Sequence, residues 1–261
     1  MKISSRDNDR IKFAVKLRDS AKARREERMF FIEGARLCRD AATGNAPVKT
    51  LMYTDRALEK YRREIETVAA RAEEMFEISE EVSEKLSDTE RPQGVFCICK
   101  ILDNSQKIDT MFFEGKMLGL ENVRDPANVG AIIRTAAALG AGGVIMCGCC
   151  DIYNPKALRA SMGAVFRTSI TVADDMCAVL RRCRECGVDS FAAVLSDRAQ
   201  NVEDVKFGEN VIVIIGNEGN GITDEVSRLC DSHIIIPMKN DVESLNASVA
   251  AGIIIYRLIN G

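Results

Sequence analysis

Three stretches of the sequence place polar, glycine-rich groups where apolar runs end. Residues 128–136 read N-V-G-A-I-I-R-T-A, residues 214–222 read I-I-G-N-E-G-N-G-I, and residues 234–250 read I-I-I-P-M-K-N-D-V-E-S-L-N-A-S-V-A. In the first, Pro126 sets a turn, Asn128 can cap a helix and Gly130 permits close backbone approach. Arg134 then lies further along the same helix, either as a fork of donors for a phosphate or as an ordinary exposed arginine. In the second, a buried strand runs into a loop containing Gly216, Asn217, Glu218, Gly219 and Gly221. Main-chain donors at such a strand end can cradle a ligand, and Glu218 can position a hydroxyl; a plain glycine-rich turn is the competing reading. In the third, a strand stops at Pro237 and a helix starts near Ser244, where free amide donors suit an anion or a polar ligand edge.

Other chemistries fit less well. The one histidine, His233, precedes an apolar run, so a residue at a strand entrance is expected rather than a member of a triad or a multi-histidine metal site. The ten cysteines include Cys147-Gly148-Cys149-Cys150 and the pair Cys183 and Cys186. No ligand turn surrounds them, so small core residues are expected and no metal is assigned. The G-x-x-G-x-G spacing, late in the chain, is not the dinucleotide fingerprint of a nicotinamide-dependent dehydrogenase.

The elements that must position these groups fall into two parts, as 261 residues suggest at roughly 100–200 residues per domain. Residues 1–103 alternate strands (30–34, 48–53, 77–79, 94–101) with helices (35–42, 55–74, 82–86), a small α/β layer domain. Residues 104–116 are polar and read as a linker. From residue 117 the strands become continuous apolar runs (117–120, 143–147, 168–172, 190–195, 211–215, 233–236), as in a parallel sheet covered on both faces. Helices are expected at 128–139, 154–163, 175–186 and 244–259, giving a doubly wound α/β domain.

Charge is unevenly spread. The net charge is −3, yet residues 1–28 hold ten Lys or Arg against five Asp or Glu. That basic start suits an RNA partner through Lys22, Arg24 and Arg25, or else forms a solvated helix face. No apolar run approaches the ~18 residues of a membrane span, and the charged N-terminal segment lacks a signal core. A cytoplasmic protein with reduced thiols is expected.

Taken together and in this order, the three strings resemble the three motifs of the SpoU-type (TrmH-like) RNA 2′-O-ribose methyltransferases of the SPOUT superfamily, over about residues 117–261. The string F-F-I-E-G-A-R-L-C-R-D-A at 30–41 is similar to the ribosomal-protein-like substrate-binding domain often found before that catalytic domain. The resemblance implies a Rossmann-like parallel sheet with a C-terminal trefoil knot, S-adenosylmethionine as cofactor and a homodimer through the catalytic domain. It implies methyl transfer to a ribose 2′-hydroxyl of structured RNA, ribosomal RNA favoured over transfer RNA. By the same resemblance, Asn128, Arg134, Glu218, Ser244 and Asn246 are the active-site residues. Leu195, Ser196, Gly216, Asn217, Gly219, Ile236, Met238 and Leu245 surround the cofactor. Asn240 stands where many members have glycine, and Asn tolerates the left-handed backbone that such a loop needs. A catalytically silent paralogue that binds RNA or assists ribosome assembly is the alternative.

Overall fold

A computed structural model describes residues 2–44, 46–102, 113–196, 198–217, 219–239 and 244–261. Most of the expected linker, together with Glu218 and Asn240, lies outside these residues. The chain forms two compact units.

The first unit contains the residues up to Leu102 together with Tyr153–Phe166. Its elements are β1 (Lys2–Ile3), α1 (Asp9–Asp19), α2 (Ala21–Glu27), β2 (Met29–Glu33), α3 (Ala35–Thr43), β3 (Val48–Tyr53), α4 (Asp55–Lys60), α5 (Arg62–Ala69), β4 (Glu74–Ile78), α6 (Glu80–Leu86) and β5 (Val95–Lys100). The sheet order is β1-β4-β3-β5-β2, with β5 antiparallel to both of its neighbours. Ile11, Ala14 and Leu17 recur at helical spacing on α1 and pack with Val82 and Leu86 of α6 against Phe31, Phe96 and Ile98 of the sheet.

The basic start of the chain is therefore two packed helices. Asn8 caps α1, its side chain accepting from Arg10 N–H at 2.9 Å. Two arginines from this region close helix ends. Arg18 Nη1 donates to the carbonyls of Lys85, Leu86 and Ser87 at 2.9, 3.1 and 3.0 Å. Arg24 Nη1 donates to the carbonyls of Leu17 and Arg18 at 2.7 and 3.0 Å. Such carbonyls have no partner within their own helix. Arg24 is only 2% exposed, which corrects the expectation that it binds RNA. Lys22 and Arg25 stay exposed on α2.

The segment Tyr153–Phe166, expected to belong to the catalytic domain, sits in this unit and contains α8 (Pro155–Ser161). Its aromatic rings explain why. Tyr153 and Phe166 lie 4.4 and 6.1 Å, centroid to centroid, from Phe30 of β2, which is fully buried.

The second unit is a seven-stranded parallel sheet in the order β10-β12-β9-β11-β6-β7-β8. Its strands are β6 (Lys116–Glu121), β7 (Gly143–Cys147), β8 (Ile170–Ala173), β9 (Asp189–Ala193), β10 (Gln200–Asn201), β11 (Val211–Ile215) and β12 (Ser232–Ile235). Its helices are α7 (Pro126–Leu139), α9 (Met176–Glu185), α10 (Asp224–Leu229) and α11 (Ala247–Asn260). Every residue of β11 is buried, as its unbroken apolar run requires at the middle of a two-sided sheet. Ile212 and Ile214 of β11 face Val179, Leu180 and Cys183 of α9 and Val226 of α10 in one core, while α11 packs against α7.

Candidate active site

The loop that follows β11 is closed by Asn217. Its N–H donates to Gly221 O at 3.1 Å, and Gly221 N–H donates back to Asn217 O at 3.0 Å. Its side-chain Oδ1 accepts from Gly219 N–H at 2.9 Å and from Asn220 N–H at 2.7 Å. The Asn217 carboxamide oxygen is thus committed to shaping the loop. Gly216 is dictated by space: a Cβ there would overlap the Gly221 carbonyl group and Ile222 N, which are backbone and cannot swing away. Gly221 supplies the left-handed residue of the turn, at φ +66°.

Around this loop lies a cavity of about 520 Å³, within the ordinary range for a small-molecule site. Leu195 and Ser196 enter it from beyond β9, and Gly216, Asn217 and Gly219 from the loop after β11. Ile236 and Met238 reach it from beyond β12, and Ser244 and Leu245 from the segment before α11. All eight expected cofactor residues and one expected active-site residue therefore meet at one place. The cavity sits beyond the carboxyl ends of three adjacent parallel strands, where ligands bind in open α/β sheets. Leu195 is 65% exposed, an apolar side chain held out at the cavity.

Other residues, not singled out as site residues by the sequence pattern, share this cavity. Asp224, Ser227 and His233 also line the cavity. His233, expected only as a strand entrance, has Nε2 3.0 Å from both Ser227 Oγ and Ser227 O. A proton on Nε2 would donate to that carbonyl. A polar residue in the first positions of β12 was the available signal.

The first motif joins the third through a pair of asparagines. Asp125 caps α7, accepting from Ala127 N–H at 2.8 Å, with Pro126 at the first helical position. This corrects the reading of Asn128 as the cap. Asn128 instead lies in the first turn, 8% exposed, and its Oδ1 accepts from Asn246 Nδ2 at 3.1 Å. Asn246 in turn caps α11, its Oδ1 accepting from Ser248 N–H at 2.9 Å and Ser248 Oγ–H at 2.6 Å. The helix thus begins at Ala247, after the expected Ser244. Arg134 is exposed on α7 outside the cavity lining, and among the described residues no hydrogen bond or ion pair holds its guanidinium.

Glu121, also missed, ties the end of β6 to the start of α10. This carboxylate, 5% exposed at the end of β6, accepts from Thr223 N–H and Thr223 Oγ1–H at 2.8 Å each. Thr223 is the cap of α10. The residue type alone carried no signal, because Glu121 meets Thr223 only in the fold.

Among the described residues no group of three His, Cys, Asp or Glu could hold a metal ion. Burial pushes the thiols of Cys149 and Cys150 up to about 11 and about 12, away from the depressed range of reactive cysteines.

The sequence profile of the SpoU rRNA Methylase family matches residues 115–256, more than half of the chain. The chain belongs to the SpoU rRNA methylase family. Ahead of this SpoU region, the profile of the MRM3-like substrate binding domain matches residues 8–97. The chain is 29% identical, over 98% of both sequences, to the 23S rRNA (guanosine(2553)-2′-O)-methyltransferase RlmP of Bacillus subtilis strain 168. It is also 29% identical, over 88% of this chain and 82% of the other, to the 23S rRNA (uridine(2479)-2′-O)-methyltransferase of Streptomyces viridochromogenes. Among solved structures, the AdoMet-bound rRNA methyltransferase from Sinorhizobium meliloti superposes with a TM-score of 0.87 at 29% identity, covering 99% of this chain and 97% of that one. The SpoU methyltransferase AviRb from Streptomyces viridochromogenes, in complex with AdoMet, gives 0.85 at 27% identity, covering 97% of each chain.

Proposed function

We propose that this chain transfers the methyl group of S-adenosylmethionine to a ribose 2′-hydroxyl of structured RNA, with ribosomal RNA as the substrate. The observation that carries this reading is the cavity in which the second and third SpoU motifs meet, in a chain similar over most of its length to two 23S rRNA 2′-O-methyltransferases.

The cavity fits the cofactor. Gly216 lies where a Cβ would strike the Gly221 backbone, so only glycine lets the loop fold back on itself at the wall of the cavity. Leu195, Ile236, Met238 and Leu245 offer apolar contact for a ring, and the polar wall includes Ser196, Asp224 and Ser244. When bound, S-adenosylmethionine supplies a methyl group on a positively charged sulfur, open to attack by an oxygen nucleophile.

The remaining work falls to the chain's own residues. A ribose 2′-hydroxyl is a poor nucleophile until its proton leaves. Arginine stays protonated at any physiological pH, so Arg134 acts as a fixed positive charge. It binds the neighbouring phosphate and lowers the cost of the developing 2′-alkoxide. Asn128 and Asn246, locked to each other and to the start of α11, fix the geometry of α7 beside the third motif. Ser244 belongs to the polar side of the cavity, the role proposed for Glu218 is to orient the ribose, and positioning of this kind can contribute several orders of magnitude in rate. The intact Asn128–Asn246 pair favours an active enzyme over a silent paralogue.

Further features follow from the same reading. Residues 1–103 bind RNA, 104–116 connect, and 117–261 carry out transfer, with Tyr153–Phe166 lent to the first unit. The strand order, with β11 inserted between β9 and β6 and β12 outside β9, supports a C-terminal trefoil knot. Val249, Ile253 and Tyr256 leave a stripe along α11 that is 51, 37 and 58% exposed, and this supports a homodimer through the catalytic domain. The cytoplasm is the proposed location, where ribosomal RNA is made in bacteria such as those of the relatives.

The test is transfer of tritiated methyl groups to purified ribosomal RNA, followed by alkaline hydrolysis. A 2′-O-methyl group blocks cleavage at its own nucleotide, so label in alkali-resistant dinucleotides supports the reading. Label released with mononucleotides would place the methyl group on a base and refute it.

A further inference from the structure

The first unit holds a second cavity, of about 400 Å³, where β2 passes into α3. Its lining combines three kinds of group that nothing in the methyl-transfer site uses.

The first kind is cationic. Arg36, Arg91 and Arg159 all line it. Arg91 is exposed, with no hydrogen bond or ion pair to a described residue. Arg36 is 67% exposed, and its Nε lies 3.8 Å from Asp40 Oδ2. Arg159 is anchored to Asp88 at 2.7 Å, but its buried Nη1 has no hydrogen-bond partner. The start of α3 adds main-chain donors. Gly34 provides no side-chain cap, and the N–H of Ala35 is taken by Gln93 Oε1 at 2.9 Å. The next two amides, Arg36 and Leu37, have no partner within the helix.

The second kind is an acceptor without a donor. Asp40 is buried, its side chain only 5% exposed. Its Oδ1 accepts from Arg39 Nη2 at 3.0 Å, while its Oδ2 has no hydrogen-bond partner. A buried acceptor left idle is uncommon and points to a donor on a ligand. Glu33, the other carboxylate of the lining, is satisfied by Ser87 Oγ–H, Thr89 Oγ1–H and Asp88 N–H at 2.6, 2.8 and 3.0 Å.

The third kind is apolar. Leu37 and Met162 supply the walls. Met162 has a left-handed backbone at φ +50° yet leaves its side chain 38% exposed. That conformation belongs to the residue that closes α8, whose N–H donates to Arg159 O.

An anion site alone would need no buried carboxylate, and an apolar slot alone would need no arginines. A nucleotide needs all three: a phosphate for the cations, a flat ring for the apolar wall, and an exocyclic amine for an acceptor. We infer that this cavity takes one unpaired nucleotide of the RNA substrate, its phosphate on Arg36 and Arg91 and its base amino group on Asp40 Oδ2. The inference rests on the proposed RNA methylation and names where the substrate-binding unit grips its RNA. Single-stranded loops with splayed bases are the usual targets of sequence-selective RNA recognition. An amino group on the base selects adenine, cytosine or guanine over uracil.

The test uses the full-length protein and fluorescein-labelled octa-adenylate, octa-cytidylate and octa-uridylate, with anisotropy read over a series of salt concentrations. Wild type is expected to bind the first two about tenfold more tightly than the third, the scale of one hydrogen bond to a charged acceptor. Arg36→Ala combined with Arg91→Ala should weaken all three and flatten the salt slope by about 0.7 for the one phosphate lost. Asp40→Asn should abolish the preference over octa-uridylate. Both proteins should keep wild-type calorimetric binding of S-adenosylmethionine. If Asp40→Asn fails to fold, the arginine pair, on exposed side chains, decides alone. An unchanged slope and unchanged affinity in that pair would overturn the inference while wild-type methyl transfer to ribosomal RNA stood. Loss of that transfer in the wild type itself would refute the proposed function instead.

Discussion

Asn246 shows how much one side chain can be asked to do. Its oxygen caps α11 and its nitrogen reaches Asn128, 118 positions earlier in the chain. Asn246→Asp keeps the cap and removes the donor, so it separates the two roles. Thermal unfolding should stay near wild type, because Asp and Asn cap about equally well. Turnover should fall at least tenfold, and wild-type turnover in this variant would show that the pair is only structural. Arg134→Ala should abolish transfer while leaving calorimetric binding of S-adenosylmethionine unchanged, since the guanidinium lies outside the cavity lining. A variant with normal turnover would remove Arg134 from the reaction. The buried thiols predict a pH effect of definite sign. Burial raises Cys150, Cys183 and Cys230 to about 12, against 9.0 for an unperturbed thiol. Above pH 9 the unfolded chain releases protons that the folded chain retains, so stability falls as pH rises from about 9 towards 12. The melting temperature should therefore drop between about pH 8.5 and 10.5, and replacing Cys150 and Cys230 by alanine should lessen the drop.

At the scale of elements, the loop between β11 and α10 decides whether a ligand can approach the sheet. Gly216→Ala would drive a methyl group into the Gly221 backbone. The expected result is loss of measurable S-adenosylmethionine binding with a lower melting temperature; retained affinity would mean that the loop has room the geometry denies. Much of this layer was legible in the residues. The strands Val211–Ile215 and Gly143–Cys147 fall where continuous apolar runs put them, because strands covered on both faces need no alternation. Short polar elements were not legible. The stretch expected as one helix at 55–74 is α4 and α5, broken at Tyr61 with φ −123° and ψ 34°, followed by a turn and the start of β4. Helix α10 has one buried residue, Val226, too little for a periodic signal. The eight residues expected around the cofactor line one cavity, whereas Glu121 and Ser227 gain their places through contacts that no local pattern records.

For the whole molecule, charge and chain order mislead in one respect each. Arg24 belongs to a basic run yet serves the interior, because a guanidinium can satisfy two carbonyls at a helix end. Tyr153–Phe166 follows β7 in sequence yet completes the first unit, since its rings find Phe30. Assembly is the other property at this scale. The exposed apolar stripe of α11 predicts two chains per particle in sedimentation equilibrium, and Ile253→Glu with Tyr256→Glu should yield single chains. A monomeric wild type would refute the proposed homodimer. The central claim is narrower: the cavity beyond β9, β11 and β12 holds the methyl donor. A crystal structure of the protein soaked with S-adenosylmethionine tests it most directly. The donor is expected among Leu195, Gly216, Ile236 and Leu245 with its methyl group open to the Asn128–Asn246 side. A donor bound elsewhere, or a cavity left empty at saturating donor, would contradict it.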